Sequence, residues 1–248
     1  MSDLLVSKAD AVTTLTLNRP ERRNALCAEL VDRLQNEVDK CREDGTRLLV
    51  LRGEGRNFSA GFDLTGFMEL EEAALVLRFI RIEQLLQSLY RAPFETLAFA
   101  HGANFGAGAD LFCACARRIA APDASFGMPG LRFGLFLGTR RLAQRIGSDA
   151  ARRLLVSTRR FGSEEALVLD FIQEIRERDR LPDAIAEAAR EAKLLLPAVQ
   201  SHLFSMLSPN TDDSDLADLV RSASRPGLKD RISRYVAESE GPRSRIGG

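Results

Sequence analysis

Residues 96–111 of the 248-residue chain, TLAFAHGANFGAGADL, join an apolar stretch to a glycine-rich turn and then to a second apolar stretch. Residues 96–100 predict a buried strand, because a short apolar run bounded by turn residues is typical of a central strand. The turn Gly106-Ala107-Gly108 then opens a helix that we expect to continue through Cys115. A turn at this place leaves free N–H groups at the helix N-terminus, where the helix dipole favours negative charge.

A second turn of this kind lies upstream, in Ser59-Ala60-Gly61-Phe62-Asp63, after the apolar stretch 48–52 (LLVLR) that predicts another buried strand. Small residues let the backbone approach a ligand closely, and glycine reaches dihedral angles that other residues avoid. Two backbone N–H donors from separate turns are what an oxyanion hole requires. The two turns therefore predict a site that holds the oxygen of a carbonyl group.

Each glycine-rich turn, taken alone, is also compatible with a plain connection between elements. Gly102, Gly106 and Gly108 do not spell the dinucleotide-binding pattern G-x-G-x-x-G, and no lysine follows as in a phosphate-binding loop. The spacing thus argues against both common nucleotide sites. The pair of turns, rather than either one, carries the functional interpretation.

Strand-like and helix-like stretches alternate through the first part of the chain. The alternating, β-branched pattern predicts strands, and apolar residues recurring every three or four positions predict helices. The predicted strands are 12–18, 48–52, 96–100 and 118–121, and the predicted helices are 24–41, 75–89 and the one that opens at 106–108. This alternation implies parallel strands with crossover helices, and hence an α/β fold.

From Ser163 onward the pattern is almost wholly helical, with a polar connection over 208–215. The residues after Gly241 are expected to be disordered. We therefore divide the chain into a core over residues 1–190 and a C-terminal helical region over 191–248. With 45% hydrophobic residues, the chain is long enough to bury a large core.

Composition excludes several classes of protein. Lys plus Arg and Asp plus Glu both total 35, so the net charge is zero and a nucleic-acid partner is not expected. No apolar run reaches 18 residues, so we expect no membrane span. The N-terminal residues MSDLLVSKAD carry no signal-peptide pattern, and the four cysteines form no CxxC pair, so we expect buried free thiols in a cytoplasmic protein.

Several short motifs stand in one order and spacing along the chain. They are 15–20 (LTLNRP) with 23–26 (RNAL), 58–64 (FSAGFDL), 101–102 (HG) with 106–111 (GAGADL), 126–129 (FGMP), and Gly134 with 138–142 (GTRRL). Taken jointly, they resemble the enoyl-CoA hydratase/isomerase (crotonase) family over residues 5–172. The resemblance implies a crotonase-like spiral of ββα units with a C-terminal helical region, assembled as a homotrimer or a dimer of trimers.

The resemblance also implies an acyl-CoA thioester as substrate, with coenzyme A entering as part of it and no separate cofactor. By motif position, the N–H groups of Phe62 and Ala107 would polarise the thioester carbonyl and stabilise an enolate. The residues implied to bind substrate are Ser59 and Ala60 at the adenine, Arg23 and Ala25 near the phosphates, and Gly61, Gly106, Gly130 and Arg132 in or beside the motifs. For Arg23 the alternative is a solvated surface charge.

Hydratases of this family use two glutamates, and this chain departs from that pattern. The first position is Asp110, one methylene shorter, and the second is Gly130, which has no ionisable group. The later aspartates that mark the dienoyl isomerase and naphthoate synthase branches correspond here to Gly138 and Leu137. Asp110 is therefore the predicted acid/base, and apolar neighbours would raise its pKa. The alternative is that Asp110 only favours the helix N-terminus.

Other polar residues near the motifs are expected to be structural. Asp63 is expected to cap the segment after the first turn, and His101 to be buried and hydrogen-bonded. His101 and scattered carboxylates do not make a metal site, so no metal is expected. Arg132 and the pair Arg140-Arg141 either reach a polar acyl group or form salt bridges and subunit contacts, and we favour the latter.

Three functions remain open from the sequence. The first is a hydratase or isomerase of enoyl-CoA thioesters with Asp110 as the only acid/base. The second is decarboxylation or hydrolysis of an acyl-CoA, in which the oxyanion hole needs little help from side chains. The third is a non-catalytic acyl-CoA binder or structural subunit, which the missing carboxylate at Gly130 would explain.

Overall fold

The structure is a computed structural model that describes residues 2–240, so the disorder expected after Gly241 lies outside the described residues. Within this range the strands are β1 (Leu4–Ala9), β2 (Val12–Leu17), β3 (Leu48–Gly53), β4 (Glu95–Ala100), β5 (Ala103–Phe105), β6 (Arg117–Ala120), β7 (Ser125–Gly127), β8 (Phe161–Gly162) and β9 (Glu174–Ile175). The helices are α1 (Ala28–Cys41), α2 (Glu72–Tyr90), α3 (Ala107–Ala114), α4 (Thr139–Ile146), α5 (Ser148–Ser157), α6 (Ser163–Val168), α7 (Leu181–Ala192), α8 (Pro197–Leu207), α9 (Asp212–Ala223) and α10 (Leu228–Glu240).

The main sheet has the strand order β1-β2-β3-β4-β6-β9. All neighbours from β2 to β9 are parallel, as the alternating pattern predicts, and β1 joins antiparallel to β2. A second, small sheet has the order β5-β7-β8. Because parallel strands place their carboxyl ends at one edge, the turns after β3 and β4 emerge side by side.

Both faces of the main sheet are buried, which explains why its central strands are continuous apolar runs. Leu49 and Leu51 face the core that α1 and α2 complete, while Leu48 and Val50 face the opposite side, against α7. Helix α7 spans position 190, where we placed the edge of the core, and that division of the chain stays a prediction.

Three boundaries differ from the expected ones. The first helix begins at Ala28 rather than residue 24, because Arg23 and Asn24 have φ angles of 52° and 54° and the Asn24 side chain donates to the carbonyls of Glu54 and Asn57. Helix α9 begins at Asp212, inside the expected connection, since acidic residues suit a helix N-terminus. The short strand β9 interrupts the expected helical C-terminal part and extends the sheet.

Three cysteines are buried free thiols as expected, whereas Cys27 is partly exposed at the start of α1. Within residues 2–240 no helix is both long and apolar enough to cross a bilayer. Apolar side chains on α8 and the segment before it remain in contact with solvent. They are Leu194, Leu195, Leu196, Val199, Leu203, Met206 and Leu207.

Four buried phenylalanines form a cluster that includes one residue of α3. Phe126 on β7 lies 5.1 Å from Phe112, 5.6 Å from Phe161 and 5.0 Å from Phe171, measured between ring centroids, and is fully buried. Aromatic pairs at these separations add to the free energy of burial. The cluster therefore holds α3, β7 and the chain after α6 together.

Replacing Phe126 with alanine is expected to lower the free energy of unfolding by about 3–5 kcal/mol, because the buried ring leaves a cavity. Chemical denaturation followed by circular dichroism measures the loss. The matched control is Phe136→Ala, whose ring is 40% exposed and whose loss should stay below about 1 kcal/mol. Equal losses in the two variants would contradict this description of the core.

Candidate active site

The first turn is held by hydrogen bonds to the segment that precedes α1. The Ser59 hydroxyl donates to the carbonyl of Asn24 over 2.8 Å and accepts from the N–H of Gly61. The N–H of Ala60 donates to the carbonyl of Arg23, and the N–H of Leu26 donates to the carbonyl of Gly61 over 2.7 Å. These bonds fix the path of the backbone through residues 59–62.

The second turn opens α3 and lies directly against the first. The N–H of Phe105 donates to the carbonyl of Ser59 over 3.2 Å. A Cβ atom on Gly61 would lie 2.2 Å from the carbonyl oxygen of Phe105 and 3.2 Å from the nitrogen of Ala107. A Cβ on Gly108 would likewise lie 2.5 Å from the carbonyl oxygen of Ser59. Only glycine permits this approach, and Gly61 also has a φ of +89°.

The contact leaves two backbone donors free at the junction of the turns. Phe62 and Ala107 both line the cavity beside the junction. Among residues 2–240, neither N–H group has a hydrogen-bond acceptor, although the N–H groups on either side of Phe62 do. The N–H of Ala107 also stands at the positive end of the α3 dipole. This arrangement suits an anionic oxygen.

Asp110, in the first turn of α3, lies beside these donors. It lines the same cavity, although only 4% of the residue is exposed. Its Oδ1 is buried without a hydrogen-bond partner in the described part of the chain. Burial raises the pKa of the Asp110 carboxyl well above its usual range, while Arg141 acts to lower that pKa and Glu83 to raise it. A raised pKa suits a carboxyl that has both to take up and to give back a proton.

Gly138 makes room for this carboxyl. It precedes α4 with a φ of +66°, and a Cβ atom there would lie 2.1 Å from Oδ1 of Asp110. Gly130, where a second carboxylate was expected to be missing, also lines the cavity. Of the described residues in the cavity lining, Asp110 alone carries a carboxylate.

The cavity has a volume of about 620 Å³. It collects eight of the eleven residues predicted for the site: Arg23, Ala60, Phe62, Gly106, Ala107, Asp110, Gly130 and Arg132. Ala25, Ser59 and Gly61 are buried and do not line the cavity, and Ser59 and Gly61 set the shape of the first turn. The roles of these residues in substrate binding stay predictions.

The other polar residues take structural positions. Asp63 accepts from the guanidinium of Arg19 over 2.9 Å and from the N–H of Thr65. His101 is buried, with Nε2 lying 3.1 Å from the carbonyl oxygen of Gly55. Arg132 forms a salt bridge with Glu238 over 2.9 Å and also lines the cavity, so its role in substrate binding stays a prediction.

The sequence reasoning missed the wall contributed by α10 and the chain after α5. Ile232 and Tyr235 on α10 close one side of the cavity, and Thr158 and Arg160 line another. The guanidinium of Arg160 lies 4.3 Å from the centre of the Phe105 ring. Since α10 is separated from α3 by more than a hundred residues, no local pattern indicates this contact.

Glu83 and Arg141 were not recognised as neighbours of Asp110 either. The sequence does contain an indication of this pair, because Glu83 lies on the apolar face of α2, four residues after Phe79 and three before Leu86. A charge on such a face requires a buried partner. That partner is Arg141, one helical turn beyond Gly138.

Comparisons with known proteins agree with this geometry. The sequence model of the Enoyl-CoA hydratase/isomerase family matches residues 7–220. A probable enoyl-CoA hydratase of Mycobacterium bovis is 35% identical over 198 residues, which cover 79% of this chain and 78% of that protein. The 2,3-dehydroadipyl-CoA hydratase of Escherichia coli is 32% identical over 211 residues, 82% of each chain.

Solved structures show the same fold. A structure from Bordetella parapertussis, of a protein assigned as an enoyl-CoA hydratase/isomerase, superposes with a TM-score of 0.94 and 48% identity, covering 95% of this chain and 98% of that one. The predicted crotonase-like α/β fold is thereby confirmed. The family model covers both glycine turns and Asp110, and the chain belongs to the enoyl-CoA hydratase/isomerase family.

Proposed function

We propose that the chain hydrates or isomerises enoyl-CoA thioesters, with Asp110 as the only side-chain acid/base. The proposal rests on one observation: two backbone N–H groups that have no acceptor among residues 2–240 line the same cavity as one buried carboxyl. The N–H groups of Phe62 and Ala107 would hold the thioester oxygen. Preorganised donors of this kind act on the charge that develops when the thioester becomes an enolate.

A single carboxyl is sufficient for either reaction. In hydration, the Asp110 carboxylate takes a proton from water as the water oxygen bonds to Cβ of the acyl group, and the resulting acid gives that proton to Cα. In isomerisation of a 3-enoyl thioester, Asp110 takes the proton from C2 and returns it to C4. Protons balance in both cases, and the raised pKa of Asp110 favours its acting as donor as well as acceptor.

Two exposed arginines at the cavity support the proposal of a coenzyme A thioester. Arg23 and Arg160 both line the cavity, and neither has a salt-bridge partner within residues 2–240. Phosphate groups are recognised well by free guanidinium groups. We propose that Arg23 and Ala60, which line the cavity, hold the nucleotide part of the substrate, and that the buried Ser59 and Ala25 act only by supporting this part of the wall.

Assembly into a homotrimer or a dimer of trimers also stays a proposal. The exposed apolar side chains on and before α8 support it, because a subunit contact would remove them from water. Acyl-CoA decarboxylation and thioester hydrolysis remain alternatives that need the oxyanion hole but not Asp110.

The substitution Asp110→Asn is expected to lower kcat for hydration of 2-enoyl-CoA or isomerisation of 3-enoyl-CoA by roughly 10²–10⁴-fold, since it removes the proton shuttle but keeps the shape. Steady-state assays on thioesters of several chain lengths measure the loss. Unchanged turnover of enoyl thioesters would contradict the role of Asp110. Turnover of malonyl-type or aryl thioesters that survives the substitution would favour decarboxylation or hydrolysis.

The same substitution is expected to stabilise the protein at neutral and alkaline pH. Because burial raises the pKa of Asp110 above its value in the unfolded chain, the unfolded state loses the proton first as pH rises. The free energy of unfolding of the wild type should fall as the pH rises above the pKa that Asp110 has in the unfolded chain. The Asp110→Asn variant should not show this fall. Urea unfolding at pH 4 and pH 8 tests it, and a stability difference that does not grow with pH would contradict the raised pKa.

The contact between the turns is tested by Gly61→Ala. Its Cβ would meet the carbonyl oxygen of Phe105, so the two donors should separate and kcat should fall by roughly 10²–10³-fold, as when one oxyanion donor is lost. The matched control is Gly45→Ala, at a similar φ of +81° with open space around the added Cβ. It should cost some stability and leave kcat unchanged. Equal kcat in the two variants would argue against the site at this junction.

A further inference from the structure

Behind Asp110 lies a buried group of charges that the reaction does not use. Glu83 on α2 and Arg141 on α4 are each 1% exposed, and the two side chains form a bidentate ion pair, with Nη1 lying 2.9 Å from Oε1. Asp215 on α9 lies 3.4 Å from the same Nη1 and also binds Arg140 over 2.8 Å. Two carboxylates thus hold the guanidinium of Arg141, and none of the three residues lines the cavity.

Arg141 is close enough to Asp110 to act on it. Gly138 lies against the Asp110 carboxyl, and Arg141 follows one turn later on α4, which also packs on α3. Oδ1 of Asp110 and Nε of Arg141 are both buried polar atoms without a partner among residues 2–240. A buried guanidinium that lost its carboxylate would pair with the nearest other one, because an unpaired buried charge is costly.

The ionisable groups around Asp110 come from several elements. Arg141 faces it from α4, Glu83 from α2, and Cys113 lies on α3 itself, while Asp215 acts from α9 through Arg141. Burial raises the pKa of Cys113, so this thiol stays neutral. Glu83 and Asp215 therefore already balance the positive charge of Arg141 without any contribution from Asp110.

We propose that Glu83 is a positioning residue for Asp110: by holding Arg141 in a buried ion pair, it prevents Arg141 from pairing with the Asp110 carboxyl and keeps that carboxyl free for proton transfer. The proposal rests on the proposed function in one respect, since it takes Asp110 as the acid/base. It explains why a chain with one catalytic carboxyl retains a second buried carboxyl on an otherwise apolar helix face.

The test is Glu83→Gln, with Asp32→Asn as the matched control. Asp32 on α1 forms a solvent-exposed ion pair with Arg81, which lies on α2 like Glu83. Two quantities are measured. One is the pH profile of kcat/KM, which reports ionisation in the free enzyme. The other is the titration of the Asp110 carboxyl by infrared difference spectroscopy against the Asp110→Asn form of each protein, which requires no turnover.

In Glu83→Gln, the Asp110 midpoint is expected to move down by about one pH unit or more in both measurements, because a freed guanidinium stabilises the carboxylate. Arg141→Gln should move it up, and the neutral double variant Glu83→Gln/Arg141→Gln should return it towards wild type. Asp32→Asn should leave it in place. The opposite signs separate this role from a merely structural one, which would lower activity in both single variants without moving the midpoint.

An unchanged midpoint in Glu83→Gln, or shifts of the same sign in both single variants, would overturn the proposal. If Glu83→Gln does not fold, Arg141→Gln alone carries the test, because an unchanged or lowered Asp110 midpoint in that variant would also overturn the proposal. Failure of the proposed function looks different: turnover would then survive Asp110→Asn, while the infrared titration would still report whether Glu83 controls the Asp110 carboxyl.

Discussion

The site depends on the contact between two backbone turns that come from different strands. No side chain fits between Gly61 and the Phe105–Ala107 segment, and each turn offers beside one cavity a peptide N–H that has no acceptor in the described part of the chain. Parallel strands bring the turns to one edge of the sheet, and the hydrogen bond from Phe105 to Ser59 fixes their separation. The turns contribute only peptide N–H donors, so any acid/base at this site would have to come from a side chain.

The environment of Asp110 follows from the same contact. The close approach of the turns places the N-terminus of α3 at the cavity. The Asp110 carboxyl on α3 then packs against Gly138, the residue that precedes α4. Burial there destabilises the carboxylate, while Arg141 acts to stabilise it and Glu83, the ion-pair partner of Arg141, acts against it. The charges that act on the Asp110 carboxyl therefore come from α2 and α4, and not from the cavity lining alone.

Much of this was open to prediction from local patterns. Short apolar or alternating stretches bounded by turn residues predict strands β2, β3, β4 and β6 and both glycine turns. The motifs predict the family. Strand β1 was missed because Leu5 and Val6 are exposed and the stretch does not alternate. The start of α1 was misplaced because Asn24 bonds to a segment thirty residues away, and the α10 wall depends on contacts at still longer range.

The most direct measurement of the central claim is the infrared band of a ¹³C-labelled thioester carbonyl in a non-reactive acyl-CoA bound to the protein. If the N–H groups of Phe62 and Ala107 hold the oxygen, the carbonyl stretch should lie at lower frequency than for the same thioester in water, because two preorganised donors polarise the bond more than solvent does. A bound thioester whose carbonyl frequency equals that in water would contradict the account.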